Sequence, residues 1–256
     1  MTQIISVLNQ KGGVGKTTTT INVAAYLSRS GHSVLIIDLD PQANTTNGLG
    51  IQKLENEAGT YEVLQGGTKV EKALKQVSNN LYLLQTDQQL AALELELVGF
   101  QNREQVLKQA LITANFDYIL IDCPPALGLF TINALTASNS LLIPVQAEYY
   151  ALEGLSQLLQ VVQLVRSGLN PELELLGVIL TMYDSRTTLS TQVKQEVEKH
   201  FGDKVFDVVI PRNIRLAEAP SYGKSIVDYD KWSKGARAYK KLAKEIDQRV
   251  NGKIKT

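Results

Sequence analysis

Apolar residues along the chain follow two alternating rhythms. Residues 4–8, 34–39, 81–84, 118–121, 141–145, 175–181 and 205–210 form short apolar runs, several of them apolar throughout as strands covered on both faces are. Between these runs apolar positions recur at spacings of three and four. Val23/Ala24/Leu27, Leu107/Ala110/Leu111/Ala114 and Leu155/Leu158/Leu159/Val162 have this helical period. Gly31, Gly168 and Pro171 stand where such helices would stop. A last stripe of Tyr239, Leu242, Ala243, Ile246 and Val250 predicts an amphipathic C-terminal helix. The alternation predicts an α/β fold, a doubly wound and mostly parallel sheet with helices on both faces. Residues 45–80 carry neither rhythm clearly and are expected to form a loop with short helices. No repeat, low-complexity tract or linker divides the chain, so residues 1–256 are expected to form a single domain.

Composition narrows the class. No apolar run approaches the ~20 residues that a bilayer requires, and no basic-then-apolar leader precedes the first strand, so a cytoplasmic protein is expected. Cys123 is the sole cysteine, which rules out a disulfide within the chain and a Cys-ligated cluster held by one chain. Basic and acidic side chains cancel at 26 each, yet they are unevenly spread. Residues 1–180 carry 10 Lys and Arg against 16 Asp and Glu, a net of −6, and residues 181–256 carry 16 against 10, a net of +6. Either the surface is simply of mixed sign, or the last third supplies a face that meets phosphates.

Candidate chemistry begins at Asn9-Gln10-Lys11-Gly12-Gly13-Val14-Gly15-Lys16-Thr17-Thr18, between the first strand and the first helix. Glycines let successive N–H groups converge on one anion, and the helix N-terminus adds partial positive charge. Lys16 can then span the β- and γ-phosphates of a nucleotide while the Thr17 hydroxyl coordinates Mg²⁺. A glycine-rich turn with surface lysines is the alternative, but the strand–loop–helix context speaks against it. Gly12, Gly13, Val14, Gly15, Lys16, Thr17 and Thr18 are therefore the expected nucleotide-binding residues.

Two further strands end in acids. Residues 34–38 lead into Asp38-Leu-Asp40-Pro41, and residues 118–121 lead into Asp122-Cys-Pro-Pro125. Ligands of doubly wound sheets gather at the carboxyl ends of strands, which can bring all three carboxylates to one crevice. A strand-terminal Asp capping its next turn is the ordinary alternative for any one of them.

The loop departs from G-x-x-x-x-G-K-T in having Gln10 at the first glycine position and a second lysine, Lys11. It resembles the deviant P-loop of the ParA/MinD ATPases. Thr131-Ile-Asn-Ala-Leu-Thr-Ala, the segment 144–154, Pro211-Arg-Asn-Ile-Arg-Leu-Ala-Glu-Ala-Pro-Ser221 and Gly223-Lys224 extend the likeness over nearly the whole chain, to the ParA or Soj chromosome- or plasmid-partitioning ATPases. The resemblance implies slow, partner-stimulated ATP hydrolysis with ATP and Mg²⁺ as cofactors. Lys11 would reach the phosphates of a partner subunit in an ATP-dependent homodimer. Asp40 would position the attacking water, Asp122 would hold Mg²⁺ through water, and Asp38 would stand behind it. Pro211 and Asn213 would flank the adenine, and Arg186 and Arg215 would contact the phosphates of non-specific double-stranded DNA. A ParB-like protein would stimulate hydrolysis, and the protein would be nucleoid-associated. The helix-turn-helix extension of some plasmid relatives is missing, so operator binding is not expected.

The alternative of another class is a MinD-like membrane switch. It needs a C-terminal helix that enters a bilayer surface, but here that helix lacks Trp and Phe and is expected to dock on its own core, without stable membrane association. A metabolic P-loop enzyme or an iron–sulfur ATPase is a third class. One cysteine argues against the cluster, and no small-substrate pocket is legible.

Overall fold

The structure, a computed structural model, describes residues 2–148 and 153–252. Residues 149–152 of the 144–154 motif and residues 253–256 of the basic tail lie outside the described residues. Among the described residues seven strands form one sheet: β1 (Gln3–Val7), β2 (Val34–Asp38), β3 (Leu74–Ser78), β4 (Leu81–Leu84), β5 (Tyr118–Asp122), β6 (Ser140–Gln146) and β7 (Glu174–Thr181). Their spatial order is β3-β4-β2-β5-β1-β6-β7, and every pairing is parallel except β3 with β4.

Strand alternation sends side chains to two cores. Leu35, Ile37, Ile119 and Ile121 face one, and Val34, Ile36, Tyr118 and Leu120 the other. Helices cover both faces, so the doubly wound α/β architecture holds. The chain winds outward from β1 in both directions, which leaves a crevice at the carboxyl end of β1 between β5 and β6. The register sets Asp38 beside Asp122 and Val7 beside Asp122, so three strand ends meet there.

Two expectations are corrected. Residues 45–80 contain a strand, β3, joined to β4 by Asn79-Asn80 in a tight antiparallel hairpin. Asn80 adopts φ +59°, a left-handed conformation that Asn tolerates in such turns. Residues 205–210 do not form a strand. Only Val205 bridges β7, with Phe206 N–H donating to Val178 O and Ile210 N–H to Leu180 O. Arg249 reaches carbonyls at the start of this segment and on β7, donating to Leu176 O, Lys204 O and Val205 O while its guanidinium lies 4.0 Å over the Phe206 ring. A side chain has replaced part of the ladder.

The C-terminal helix, Lys234–Val250, spends its apolar face on the body of the protein. Ala236, Tyr239, Leu242, Ala243 and Ile246 are buried against the core that also holds the first helix, Lys16–Arg29, and the Tyr239 hydroxyl pairs with Thr19 Oγ1 at 3.1 Å. Among the described residues no helix is long and apolar enough to cross a membrane.

Candidate nucleotide and phosphate site

The first helix is an unlikely helix by composition. It opens Lys16-Thr-Thr-Thr-Thr20, and β-branched threonines lose rotamer freedom in a helix. Burial of Ile21, Val23, Ala24 and Leu27 holds it instead. Its N-cap is Gly15 at φ +91°, so no side chain caps the first turn, and that turn contains no acid. Gly13 also stands at positive φ, +74°. Both positions need glycine, and the loop they shape leaves a helix N-terminus open to an anion.

The loop is anchored on both sides. Asn9 Nδ2 donates to Pro144 O at 2.7 Å and Asn9 Oδ1 accepts the Lys11 N–H at 3.0 Å, tying the loop base to β6. Thr181 Oγ1, at the end of β7, donates to Val14 O at 2.7 Å. Lys16 is only 7% exposed, with Nζ donating to Lys11 O at 3.2 Å. Burial lowers its pKa, while Asp122 and Asp40 oppose that shift.

The acids are held by neutral donors. Asp122 Oδ2 accepts from both Thr17 Oγ1 and Thr45 Oγ1 at 2.7 Å, and Oδ1 accepts from Thr20 Oγ1 at 3.4 Å. Asp38 Oδ2 accepts the Thr46 N–H at 2.9 Å and its hydroxyl at 2.7 Å, and Oδ1 accepts the Asp40 N–H at 3.2 Å. Burial raises the pKa of both Asp38 and Asp122. Asp40 lies just past β2, buried, with Oδ1 accepting the Gln42 N–H at 3.0 Å.

Among the described residues no three His, Cys, Asp or Glu side chains cluster as a metal cage. Mg²⁺ takes one or two protein oxygens and completes its octahedron with phosphates and water. Thr17 beside Asp122 fits that pattern.

A cavity of about 340 Å³ adjoins the loop, lined by Gly15, Thr18, Met182, Pro211, Asn213 and Tyr239 among others. Asn213 Oδ1 accepts the Leu216 N–H at 3.3 Å and so caps the short helix Ile214–Glu218.

The remaining candidates lie outside the crevice. Lys11 Nζ pairs with Glu148 Oε2 at 3.1 Å, and both side chains are nearly half exposed. Arg186, 87% exposed, forks onto Asp184 with Nε–Oδ1 at 2.9 Å and Nη2–Oδ2 at 2.7 Å. Arg215 pairs with Glu218 at 2.9 Å and with Asp230 at 3.7 Å. A backbone bridge between Tyr183 and Pro211 joins the segments that carry the two arginines. Beside them a groove of about 780 Å³ has Lys234, Arg237 and Lys241 on its helical wall and Asp207 nearby.

Sequence reasoning missed Asn9, Thr45, Thr46 and Thr181. Asn9 had a signal, a polar residue directly following the first apolar strand, whereas Thr46 lies in the stretch read as irregular and the partners of Thr45 and Thr181 lie far along the chain.

Comparison with known proteins agrees with this geometry. The AAA domain family profile matches residues 2–175. The sporulation initiation inhibitor protein Soj of Bacillus subtilis is 55% identical over 249 residues, covering 96% of this chain and 98% of its own. The chromosome-partitioning ATPase Soj of Thermus thermophilus is 50% identical over 246 residues, with 96% of each chain covered. Cobyrinic acid a,c-diamide synthase from Mycobacterium smegmatis, solved with an ATP analog and magnesium, superposes with a TM-score of 0.88 at 36% identity, covering 100% of this chain and 98% of its own. The septum site-determining protein MinD of Pyrococcus horikoshii, solved with Mg-ADP, gives a TM-score of 0.80 at 29% identity over 100% of each chain. With half its residues shared, end to end, with partitioning proteins, and a lysine-doubled phosphate loop on the matching fold, this chain belongs to the ParA/Soj family of partitioning ATPases.

Proposed function

We propose that the protein is an ATP-driven DNA-partitioning switch: its ATP-bound dimer binds DNA without sequence preference, and slow hydrolysis, stimulated by a ParB-like partner, releases it. The observation that carries this reading is the contrast between two lysines of one loop. Lys16 is buried, with Nζ held on the loop carbonyl of Lys11, whereas Lys11 is exposed on a surface ion pair with Glu148. An exposed pair of this kind is worth about 0–1 kcal/mol, so Lys11 is readily released toward phosphates of a second copy.

ATP and Mg²⁺ as cofactors are supported by the ligands of the M. smegmatis and P. horikoshii structures. Mg²⁺ neutralises charge between the β- and γ-phosphates when bound. In this reading Thr17 and Asp122 hold its shell, with Asp38 behind, and the loop amides of residues 12–18 cradle the phosphates. Lys16 binds the β- and γ-phosphates, while Pro211 and Asn213 border the adenine. Asp40 orients a water at the end of β2. Orientation of that water is its main contribution, and turnover is slow. Arg186 and Arg215 meet DNA phosphates, and localisation follows the nucleoid.

Light scattering tests the switch. Mg·ATP should convert wild-type monomers to dimers and ADP should not, while Lys11→Ala should bind ATP yet stay monomeric. A Lys11→Ala protein that dimerises normally removes the trans role. Co-sedimentation with plasmid DNA and with anionic liposomes separates the DNA reading from the MinD-like one. The occupied apolar face of Lys234–Val250 supports the former.

A further inference from the structure

Thr45 stands at one end of a short segment that touches both the metal acid and the arginine surface. Asp122 Oδ2 is shared by two hydroxyls at 2.7 Å, and a carboxylate oxygen has room for about two such donors. Thr17 is fixed at the start of a 14-residue helix, whereas Thr45 belongs to a five-residue helix, Asn44–Gly48. Any ligand that draws on this oxygen competes with Thr45. Thr46, the next residue, is tied to Asp38 in the same way, so the segment is fastened to both strand ends.

The far end of the segment has no slack. Gly48 packs against Ile21 and Pro220, where an added Cβ would stand 3.1 and 3.6 Å from their side chains. Gly50 and Gly223 meet backbone to backbone: a Cβ on Gly223 would lie 2.6 Å from Gly50 Cα and 2.9 Å from Gly50 N. Both have left-handed φ, +70° and +62°. On the other side of this contact Ala219–Tyr222 continues directly from the Ile214–Glu218 helix that carries Arg215, and Lys224 follows Gly223. These contacts give a shift of Thr45 a path to the turn beside Arg215.

We propose that residues 44–50 couple the occupancy of Asp122 to the Arg215 surface, with Thr45 as the positioning residue at one end and the Gly50–Gly223 contact at the other. The proposal rests on the magnesium and DNA roles given above. By linkage it is reciprocal: DNA on the Arg215 surface changes magnesium affinity by the same factor that magnesium changes DNA affinity.

Hydrogen exchange of the ATP-saturated protein, with Mg²⁺ and with chelator, tests it alongside a DNA titration. In wild type and in Thr45→Ser, Mg²⁺ should change exchange across residues 214–224 on the order of tenfold, the size of a typical coupling. Thr45→Val, which keeps the shape and removes the donor, should abolish that change and lower DNA affinity on the order of tenfold while nucleotide stays bound. Gly223→Ala should do the same from the far end. A Mg²⁺ response absent from wild type, or intact in Thr45→Val, overturns the coupling. If the exchange response appears and is lost in Thr45→Val but wild type ignores DNA, the DNA reading fails and the coupling stands.

Discussion

The crevice at the ends of β1, β2 and β5 and the arginine surface beside β7 handle charge in opposite ways. In the crevice Asp38 and Asp122 are satisfied by hydroxyls and amides, from Thr17, Thr20, Thr45, Thr46 and Asp40. Neutral donors orient these carboxylates without a salt bridge from the same chain, so the pairing of charge is left to a cation that binds there. On the surface each arginine already holds an acid: Arg186 holds Asp184, and Arg215 holds Glu218 with Asp230 beyond. There a phosphate must displace a carboxylate from the same chain. In the proposed roles the first region would bind tightly in a fixed geometry, and the second would bind weakly and let go.

The largest effects should come from the crevice. Lys16→Ala removes a buried, charge-assisted contact worth up to about 3 kcal/mol, so nucleotide affinity should fall on the order of 10²-fold in a fluorescent-nucleotide titration. Asp40→Ala should leave nucleotide binding and the dimer in place but slow single-turnover hydrolysis by about 10²-fold, the cost of losing orientation. Wild-type hydrolysis by that variant would move water positioning to another group.

Effects at the surface should be smaller and dependent on salt. A dimer offering Arg186 and Arg215 from each subunit makes four phosphate contacts, for a log–log salt slope of about −3.6. Between 50 and 200 mM salt that is an affinity loss on the order of 10²-fold. Arg215→Ala removes two contacts per dimer and should bring the slope to about −1.8, with affinity at 50 mM salt lower by about tenfold and dimerisation unaffected. Random and genomic sequences should bind alike, since phosphate contacts carry no base information. Trp232 is the sole tryptophan, 77% exposed, and its backbone N–H donates to the same Asp230 that Arg215 approaches, so its fluorescence can report the titration. A slope that stays unchanged in Arg215→Ala would place the contacts elsewhere, with Lys234, Arg237 and Lys241 in the adjoining groove next to test.

The two regions also differ in how much of them the sequence discloses. The phosphate loop and the strand-end acids are local features: a glycine spacing, an apolar run, an acid and a proline fix chemistry and context within a few residues. The sheet is legible for the same reason, because strands buried on both faces are apolar throughout. What escapes is set by distant partners. Thr45 reaches Asp122 across 77 positions and Thr181 reaches Val14 across 167, and no local pattern announces either. Residues 205–210 have the composition of a strand, but Arg249, more than 40 positions onward, occupies carbonyls that a ladder would use. The hairpin of β3 is a different case. Asn79-Asn80 was a readable turn, obscured because the adjacent polar residues Lys75 and Gln76 break the apolar–polar alternation of the strand before it.

The smallest effect probes the contrast most directly, because it adds function rather than removing it. Asp184 holds Arg186 through both carboxylate oxygens, and the hydrogen bonds from Arg186 hold its pKa down to about 2. A depressed acid pKa means that the pair persists as pH falls until about that value, so acidification to pH 5 should not free Arg186. Substitution can. Asp184→Asn keeps an oxygen for the Arg186 N–H, now 3.1 Å from Oδ1, so the turn should survive while the charge is lost. Arg186 then meets a phosphate without first leaving a carboxylate, and one repulsive charge disappears from each subunit. Since exposed ion pairs are weak, the gain should be no more than about a few-fold in DNA affinity at 50 mM salt, smaller still at 200 mM. Hydrolysis in the absence of DNA should be unchanged, because the crevice is untouched. The double variant Asp184→Asn, Arg186→Ala should lose the gain entirely, and if it keeps the gain, the released charge rather than the released arginine is what DNA responds to.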